Sequence, residues 1–466
     1  MLPTITYQVR RTWVLFLRRI QREPSSEDVV ILGLAVLTGI LGALAAALFY
    51  KLLALAYSGI FAWPVKRLAW GGEWFYRPLL TGAGVALAAW IVRRLGDSYD
   101  GLNIPDVYTA VTSRSGQLPA RPAAAKTVAS AVTISGGGSA GAEAPIAVLG
   151  AVLGSQLAQR LRLRVARTRV LVGAGAAAGI AAAFNAPLAG AFFALEEILK
   201  SFSTVAFAPV VISSVTAAVF SSAILGPHPA FPTPVAAGYT FYREILVFFP
   251  VLGIAAGLVA GFFVRLEDTL ARHRWRRQVH PQLRPWLGGI IVGLIVTASG
   301  GLLASRGSTE IHLDSIIMLP WYLALVLAVG KVIATAVTLN TGGSGGVFAP
   351  SLFTGALVGS AVAGLFGIGF PNLPIETSAY VVVGMGATLA AATGAPITGI
   401  LFVFEVTRDY GLLLPLMLAV VFAVVVRRLI IGDTLYTSWL RRSGRGSPAE
   451  AEIATTATRP IPPPAR

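Results

Sequence analysis

Glu143 lies in a glycine-rich segment that occurs twice in the chain. Residues 126–155 align without a gap on residues 331–360, with 15 of 30 positions identical at a constant offset of 205. The most similar block is G-x-x-A-P, and at its third position the first copy has Glu143 where the second has Phe348. A carboxylate in one copy alone indicates that the copies share a scaffold and differ in chemistry.

Each G-x-x-A-P block predicts a helix that begins inside the protein. Proline is favoured at the first helical position, and the preceding glycines permit a tight turn. The unpaired amides and the positive dipole end of such a helix attract an anion. The turns and amides shared by both copies are therefore expected to form an anion site. The alternative is that the glycines only allow close helix packing.

Glu143 is at the start of the helix that the first block predicts. Its carboxylate is itself an anion, so it can occupy the site and compete with a permeating ion. Once protonated it must leave, which predicts a gate linked to protons. The alternative is a plain N-terminal capping acid, which the apolar neighbours Ala142, Ala144 and Ile146 make less favourable.

A second repeated block, AAAFNAPLAGAFFALEE against AAATGAPITGILFVFEV, contains the other acids of interest. At an offset of 209, Glu196 matches Glu405, and the pair is interpreted as structural, hydrogen-bonded to a nearby turn. Glu197 has no acidic counterpart and is the better candidate for function. Lys126 and Lys331 match in the first block and are also interpreted as structural or interfacial.

The composition is that of a membrane protein. The chain is 55% hydrophobic and only 12% charged, with a mean hydropathy of +0.73, whereas soluble domains are about 25% charged. Apolar runs that approach spanning length recur along the sequence, and several are short or interrupted by Gly or Pro. Broken helices in a membrane line a cavity or are buried in protein. An all-α, multi-pass membrane protein with a buried aqueous site is predicted.

The repeats divide the chain into two transmembrane halves, residues 29–226 and 244–442. Duplicated halves in transporters usually enclose a site at their interface, although the sequence itself leaves both inverted and parallel repeats open. Residues 1–28 are predicted to form an interfacial helix, 227–243 a Pro-rich linker, and 443–466 a disordered tail.

Several function classes are excluded. The net charge of +16 comes from short basic patches, which set orientation in a membrane and do not indicate nucleic-acid binding. There is no cysteine. An enzyme with a phosphate-binding loop is excluded because the glycine-rich turn lacks a G-K-[ST] ending. The four histidines are not clustered with acids, so neither a metal nor a cofactor is expected.

The motifs together resemble those of the CLC family of chloride channels and chloride/proton antiporters, over nearly all of the chain. G-A-E-A-P resembles the family's G-R/K-E-G-P motif, and G-V-F-A-P matches its G-x-F-x-P motif. The segment F-N-A-P-L-A-G with its acid pair is also similar to the family, as is Tyr436 in T-L-Y-T-S-W-L. The segment G-L-N-I-P occupies the place of the family's G-S-G-I-P.

The resemblance implies a homodimer of subunits with about eighteen helices each, built from two repeats of inverted topology with one pore per subunit. It implies that Glu143 is the external gate and proton acceptor and that Glu197 is the internal proton-transfer group. The implied anion-binding residues are Leu102, Ala142, Glu143, Ala144, Val347, Phe348, Ala349 and Tyr436. A prokaryotic plasma membrane is the implied location.

Two departures from the family pattern affect the expected function. Leu102 replaces a serine whose hydroxyl faces the central anion, which removes a donor worth about 1 kcal/mol or more. Ala142 and Ala144 replace a basic residue and a glycine beside the gate. The predicted function is chloride/proton antiport, with a passive or weakly coupled anion channel and a fluoride-selective exporter as alternatives.

Overall fold

The computed structural model describes residues 24–62, 72–96, 102–226, 246–273, 278–303 and 313–444, and this part of the chain is almost entirely helical. Its first half contains eight α-helices: α1 (Pro24–Ala56), α2 (Glu73–Leu95), α3 (Ile104–Ser113), α4 (Ala120–Ser135), α5 (Glu143–Arg160), α6 (Val165–Phe184), α7 (Pro187–Phe193) and α8 (Thr204–Leu225). A π-helical turn, Ala194–Ile198, extends α7.

The second half of the described chain contains nine α-helices: α9 (Phe248–Arg272), α10 (Leu283–Ala298), α11 (Leu313–Ile317), α12 (Trp321–Thr341), α13 (Phe348–Gly369), α14 (Thr377–Thr393), α15 (Pro396–Thr407), α16 (Leu413–Ile430) and α17 (Leu435–Arg442). Helices α4 to α8 of the first copy correspond, in the same order, to helices α12 to α16 of the second copy. Eight helices in the described ranges are long and apolar enough to cross a membrane.

The predicted terminal and linker segments fall mostly outside the described residues. This holds for the interfacial helix at 1–28, the linker at 227–243 and the tail at 443–466. The exceptions are residues 24–28, which belong to α1, and residues 443–444, which follow α17.

The same local signals turn the chain between a long and a short helix in both copies. Helix α6 ends at Asn185 and α14 at Gly394, both with left-handed backbone (φ 53° and 91°). A left-handed residue is a common helix terminator. Pro187 and Pro396 follow two residues later and begin α7 and α15, where a missing N–H costs no helical hydrogen bond.

Glycines allow the long helices to touch backbone to backbone. A Cβ atom at Gly150 of α5 would overlap the carbonyl group of Gly175 in α6. At the equivalent positions of the second copy, a Cβ atom at Gly355 would overlap the carbonyl group of Gly384. Small-residue contacts of this kind are typical of membrane helices, where close packing drives association. Close packing therefore accounts for these glycines, which lie beyond the G-x-x-A-P turns.

Hydrogen bonds between the two copies are reciprocal. The N–H of Ser139 donates to the Thr338 hydroxyl at 3.1 Å, and the N–H of Ser344 donates to the Thr133 hydroxyl at 3.0 Å. The donors are 205 residues apart, and so are the acceptors. Contacts that are returned in this way indicate an approximate two-fold relation between the copies.

The carboxylates of Glu196 and Glu405 each accept hydrogen bonds from the first backbone N–H groups of the short helix in the other copy. The N–H groups of Leu188 and Ala189 in α7 donate to the carboxylate of Glu405, and those of Ile397 and Thr398 in α15 donate to the carboxylate of Glu196. The N···O distances are 2.7–3.1 Å. The structural interpretation of this matched pair is therefore confirmed. The protein's own carboxylates therefore occupy the N–H groups at the starts of α7 and α15.

Neutralising either carboxylate should destabilise the contact between the copies. Glu196→Gln and Glu405→Gln each leave one acceptor oxygen for two N–H groups, so we expect a loss of about 1–3 kcal/mol per variant. Thermal unfolding of the purified protein in detergent measures the loss. Glu376→Gln is the matched control, since its amide oxygen can still accept from the Ser378 hydroxyl. Unchanged unfolding temperatures for both variants would contradict the structural role.

Candidate functional site

The two glycine-rich turns meet at the centre of the structure. The N–H of Gly141 donates to the carbonyl of Gly346 at 2.9 Å, and the N–H of Gly346 donates back at 2.8 Å. Helix α5 begins two residues later at Glu143, and α13 begins two residues later at Phe348. The prolines of both blocks are the third helical residue, two positions later than the first helical position that the sequence indicated. The result is two helix N-termini joined by one pair of backbone hydrogen bonds.

The Glu143 carboxylate lies between these two helix ends. The side chain is buried, and its Oε1 accepts a hydrogen bond from the Phe348 N–H at 2.9 Å. The backbone N–H groups of Ala349 and of Glu143 itself also interact with the carboxylate. Oε2 is buried without a hydrogen-bond partner in the described part of the chain. A carboxylate therefore occupies the amide cradle, and only one of its two oxygens is hydrogen-bonded there.

Both glycines of the turns are required by this position of the carboxylate. A Cβ atom at Gly141 would overlap the carboxylate atoms of Glu143, and one at Gly346 would overlap Oε1. Neither glycine has a positive φ angle. The requirement is therefore one of space and not of backbone conformation. It accounts for the glycine that both copies have at the start of the G-x-x-A-P block.

The backbone and the side chain of Phe348 make different contacts. Its amide binds the carboxylate, while its ring packs in an aromatic cluster. The cluster partners lie at centroid distances of 5.0–6.5 Å from one another: Phe184, Phe193, Phe348, Phe402 and Tyr436. This cluster fixes the start of α13 and places Tyr436 of α17 near the helix ends.

A cavity of about 980 Å³ reaches the helix ends from the protein surface. Of the anion-binding residues implied by resemblance, Ala144, Val347 and Tyr436 line it. Lys126 also lines the cavity, although its match to Lys331 predicted a structural role. Lys331 does have such a role, since its Nζ donates to the Leu303 carbonyl at 3.2 Å. Equivalent lysines thus have different surroundings in the two copies.

The segment before α3 presents Asn103 to the cavity. Asn103 is part of the cavity lining, whereas the Leu102 side chain packs in the apolar core. The backbone N–H of Asn103 donates to the Asp106 carboxylate at 2.9 Å, which holds the start of α3. An amide side chain is both a donor and an acceptor. Sequence reasoning missed Asn103 because the motif alignment places Leu102, and not Asn103, at the serine position.

The mouth of the cavity is lined by charges of both signs. Asp268 of α9 pairs with Arg272 at 2.9 Å and with Arg442 at 3.2 Å. Arg441 forms an ion pair with Asp433. These arginines are paired with carboxylates, so the mouth does not present an uncompensated positive patch that would hold anions tightly.

Glu197 lies on the π-helical turn after α7 and is also buried. Its Oε1 accepts a hydrogen bond from the Lys200 ammonium group at 2.9 Å. The Tyr436 side chain is within electrostatic range of both Glu197 and Glu143. Both candidate proton-transfer residues therefore lie near one tyrosine. In the described ranges no group of three His, Cys, Asp or Glu side chains is placed to hold a metal ion.

Comparison with known proteins gives a consistent result. A family model described as "Voltage gated chloride channel" matches residues 84–428. A ClcB-like chloride channel protein of Ralstonia nicotianae is 35% identical over 393 residues, covering 79% of this chain and 86% of that protein. The H(+)/Cl(-) exchange transporter ClcA of Cronobacter sakazakii is 30% identical over 454 residues, covering 91% and 92%.

Among solved structures, the crystal structure of a slow cyanobacterial Cl-/H+ antiporter superposes with a TM-score of 0.76 at 25% identity. The superposition covers 89% of this chain and 97% of the antiporter chain. The predicted architecture, an all-helical, multi-pass membrane protein, is confirmed by these matches.

Adding a methyl group at Gly141 should displace the Glu143 carboxylate from the cradle. Gly141→Ala is therefore expected to tighten chloride binding, because it removes the competing anion, and to lower the unfolding temperature. In a Glu143→Ala background the same substitution should have little effect on either quantity. Isothermal titration and thermal unfolding of the four proteins form a double-mutant cycle. Equal effects of Gly141→Ala in both backgrounds would contradict the proposed overlap.

Proposed function

The chain belongs to the voltage-gated chloride channel (CLC) family, and we propose that it exchanges chloride for protons across the membrane. The observation that carries the proposal is the Glu143 carboxylate, which is buried between two helix N-termini and is bound there by backbone amides. A carboxylate and a chloride ion cannot occupy this cradle together. Binding of one therefore requires departure of the other.

Protonation supplies the link between the two ions. The amides and helix dipoles favour the charged carboxylate, so a protonated Glu143 loses most of its attraction to the cradle. A chloride ion then takes its place while the neutral side chain carries a proton. When chloride leaves, the deprotonated side chain returns. This sequence moves one ion only if the other has moved, which is the requirement for exchange.

Glu197 is proposed to transfer protons between Glu143 and the inner solution. It is buried at the end of α7, away from the amide cradle, and Tyr436 lies within electrostatic range of both carboxylates. Protons and chloride would then share the outer part of the pathway and separate at Tyr436. A separate inner route for protons allows the cavity to serve chloride alone.

The anion route is proposed to follow the cavity to the amide cradle. Ala142, Ala144, Val347, Phe348 and Ala349 contribute backbone amides near the cradle, and Tyr436 and Lys126 line the approach. Backbone amides carry partial charges, so a bound chloride can be released. A passive channel is less well supported, because an open channel needs a path past Glu143 and the carboxylate fills that path.

The relatives named H(+)/Cl(-) exchange transporter are bacterial, and we propose that this chain works in a prokaryotic plasma membrane as a homodimer. Exposed apolar side chains along α8 and α16, such as Phe220 and Val421, suit contact with lipid or a second subunit. Transport without enzymatic catalysis and without a cofactor is part of the same proposal.

Removing the inner carboxylate should separate the two fluxes. In proteoliposomes with a chloride gradient, the wild-type protein should drive proton uptake, and Glu197→Gln should abolish it while chloride flux continues. Glu143→Gln should also abolish proton movement, because its amide cannot carry a proton. Glu376→Gln, remote from the site, is the control and should retain coupling. Chloride flux without proton movement in the wild type would refute antiport.

Asn103 is expected to supply a donor to the anion in place of the serine that Leu102 replaces. Asn103→Ala should weaken chloride binding about tenfold, the equivalent of one hydrogen bond to an anion. Leu102→Ser should not tighten it, because the Leu102 side chain packs away from the cavity. Isothermal titration with chloride, bromide and fluoride measures both. A gain in affinity for Leu102→Ser would contradict this placement, and tighter binding of fluoride than chloride would favour the fluoride exporter.

A further inference from the structure

Lys200 covers the buried carboxylate of Glu197. Its ammonium group is 2.9 Å from Glu197 Oε1, and its side chain is 39% exposed whereas that of Glu197 is 4% exposed. The backbone of Lys200 is left-handed (φ 49°), which turns the chain back over the π-helical turn just before it. The pair thus joins a buried acid to a cation at the protein surface.

The other charged and titratable groups around Glu197 are held in place. Arg427 of α16 is buried and within electrostatic range of Glu197. Its guanidinium group donates to the carbonyls of Ala391 at 3.0 Å and Gly432 at 2.8 Å. Tyr436 packs in the aromatic cluster, edge to face with Phe193. Glu196, next in the chain, is bound by the N-terminus of α15. Lys200 is therefore the neighbour with freedom to move.

The geometry points to Lys200 as a latch on the inner proton pathway, a positioning residue that holds Glu197 in its ionised form and must move away before Glu197 takes a proton. This inference rests on the proposed role of Glu197. A cation at hydrogen-bond distance favours the charged carboxylate. The lysine has a long flexible side chain, so its ammonium group can move into water without unfolding the turn.

The proposed step conserves protons and charge. A proton reaches Glu197 and forms an O–H bond, while Lys200 keeps its own three protons and moves outward as an ammonium ion. Glu197 then loses the proton to the inner solution, and the ion pair forms again. Lys200 neither donates nor accepts a proton in this cycle. Its effect is to make the protonated form of Glu197 less favourable, so that Glu197 exchanges protons with the inner solution at a lower internal pH.

Lys200→Gln tests the latch. Without the cation, Glu197 should bind a proton more readily, so half-maximal proton transport should move to a higher internal pH, by about one unit. Chloride binding should be unchanged. Lys200→Arg keeps the charge and should retain the wild-type profile. Arg428→Gln, which removes an exposed charge at the end of α16 near Arg427, is the matched control and should shift the profile little.

A spectroscopic measurement separates this inference from the proposed function. The infrared carbonyl band that disappears in Glu197→Gln reports protonation of Glu197 without any transport. Its midpoint should rise by about one pH unit in Lys200→Gln. An unmoved midpoint would overturn the latch even if transport is coupled. A shifted midpoint in a protein that moves no protons would instead support the latch and overturn antiport. A uniform loss of flux and stability, with no change in either pH profile, would indicate a purely structural ion pair.

Discussion

The pair of backbone hydrogen bonds between Gly141 and Gly346 is the contact on which the site depends. It brings the N-termini of α5 and α13 together, although helix dipoles of like sign repel at close range. The negative charge of Glu143 between them offsets that repulsion. The carboxylate therefore stabilises the contact between the two helix ends and also competes with other anions for the site between them. Any species that displaces the carboxylate must itself be an anion, and this requirement confines the site to anion chemistry.

The protein limits how strongly the site can bind. A buried lysine or arginine in the cradle would bring a full charge, whereas the amides bring fractions of one. The arginines at the outer cavity are paired with Asp268 and Asp433, and α7 and α15 are closed by Glu405 and Glu196. The positive ends of α7 and α15 are thus neutralised. The anion meets its strongest attraction where the competing carboxylate lies.

Much of the fold could be predicted from the sequence because each repeated block contains short-range signals for turns and helix starts. Glycine turns, A-P helix starts and the matched Glu196–Glu405 pair follow from short-range patterns, and the structure agrees with them. The lining of the cavity could not be predicted in this way. Asn103 reaches it because α3 packs beside α17, and Lys126 reaches it because α4 lies against the glycine-rich turn at Ser344. Sequence spacing does not specify contacts between such distant segments. For the same reason the sequence did not indicate that carboxylates of the opposite copy close α7 and α15.

Differences between the copies coincide with the groups that are proposed to carry out exchange. Glu143 corresponds to Phe348, whose ring completes an aromatic cluster, and Glu197 corresponds to Val406. The partner of Glu197 differs as well, because Lys200 aligns with Asp409 at the same offset. The ion pair of the first copy therefore has no equivalent in the second, where Asp409 instead accepts a hydrogen bond from the Gly411 N–H. An inverted repeat with identical halves would offer protons the same route from both sides. A single buried acid, with its cation at one end only, thus distinguishes the first copy from the second in an otherwise symmetric scaffold.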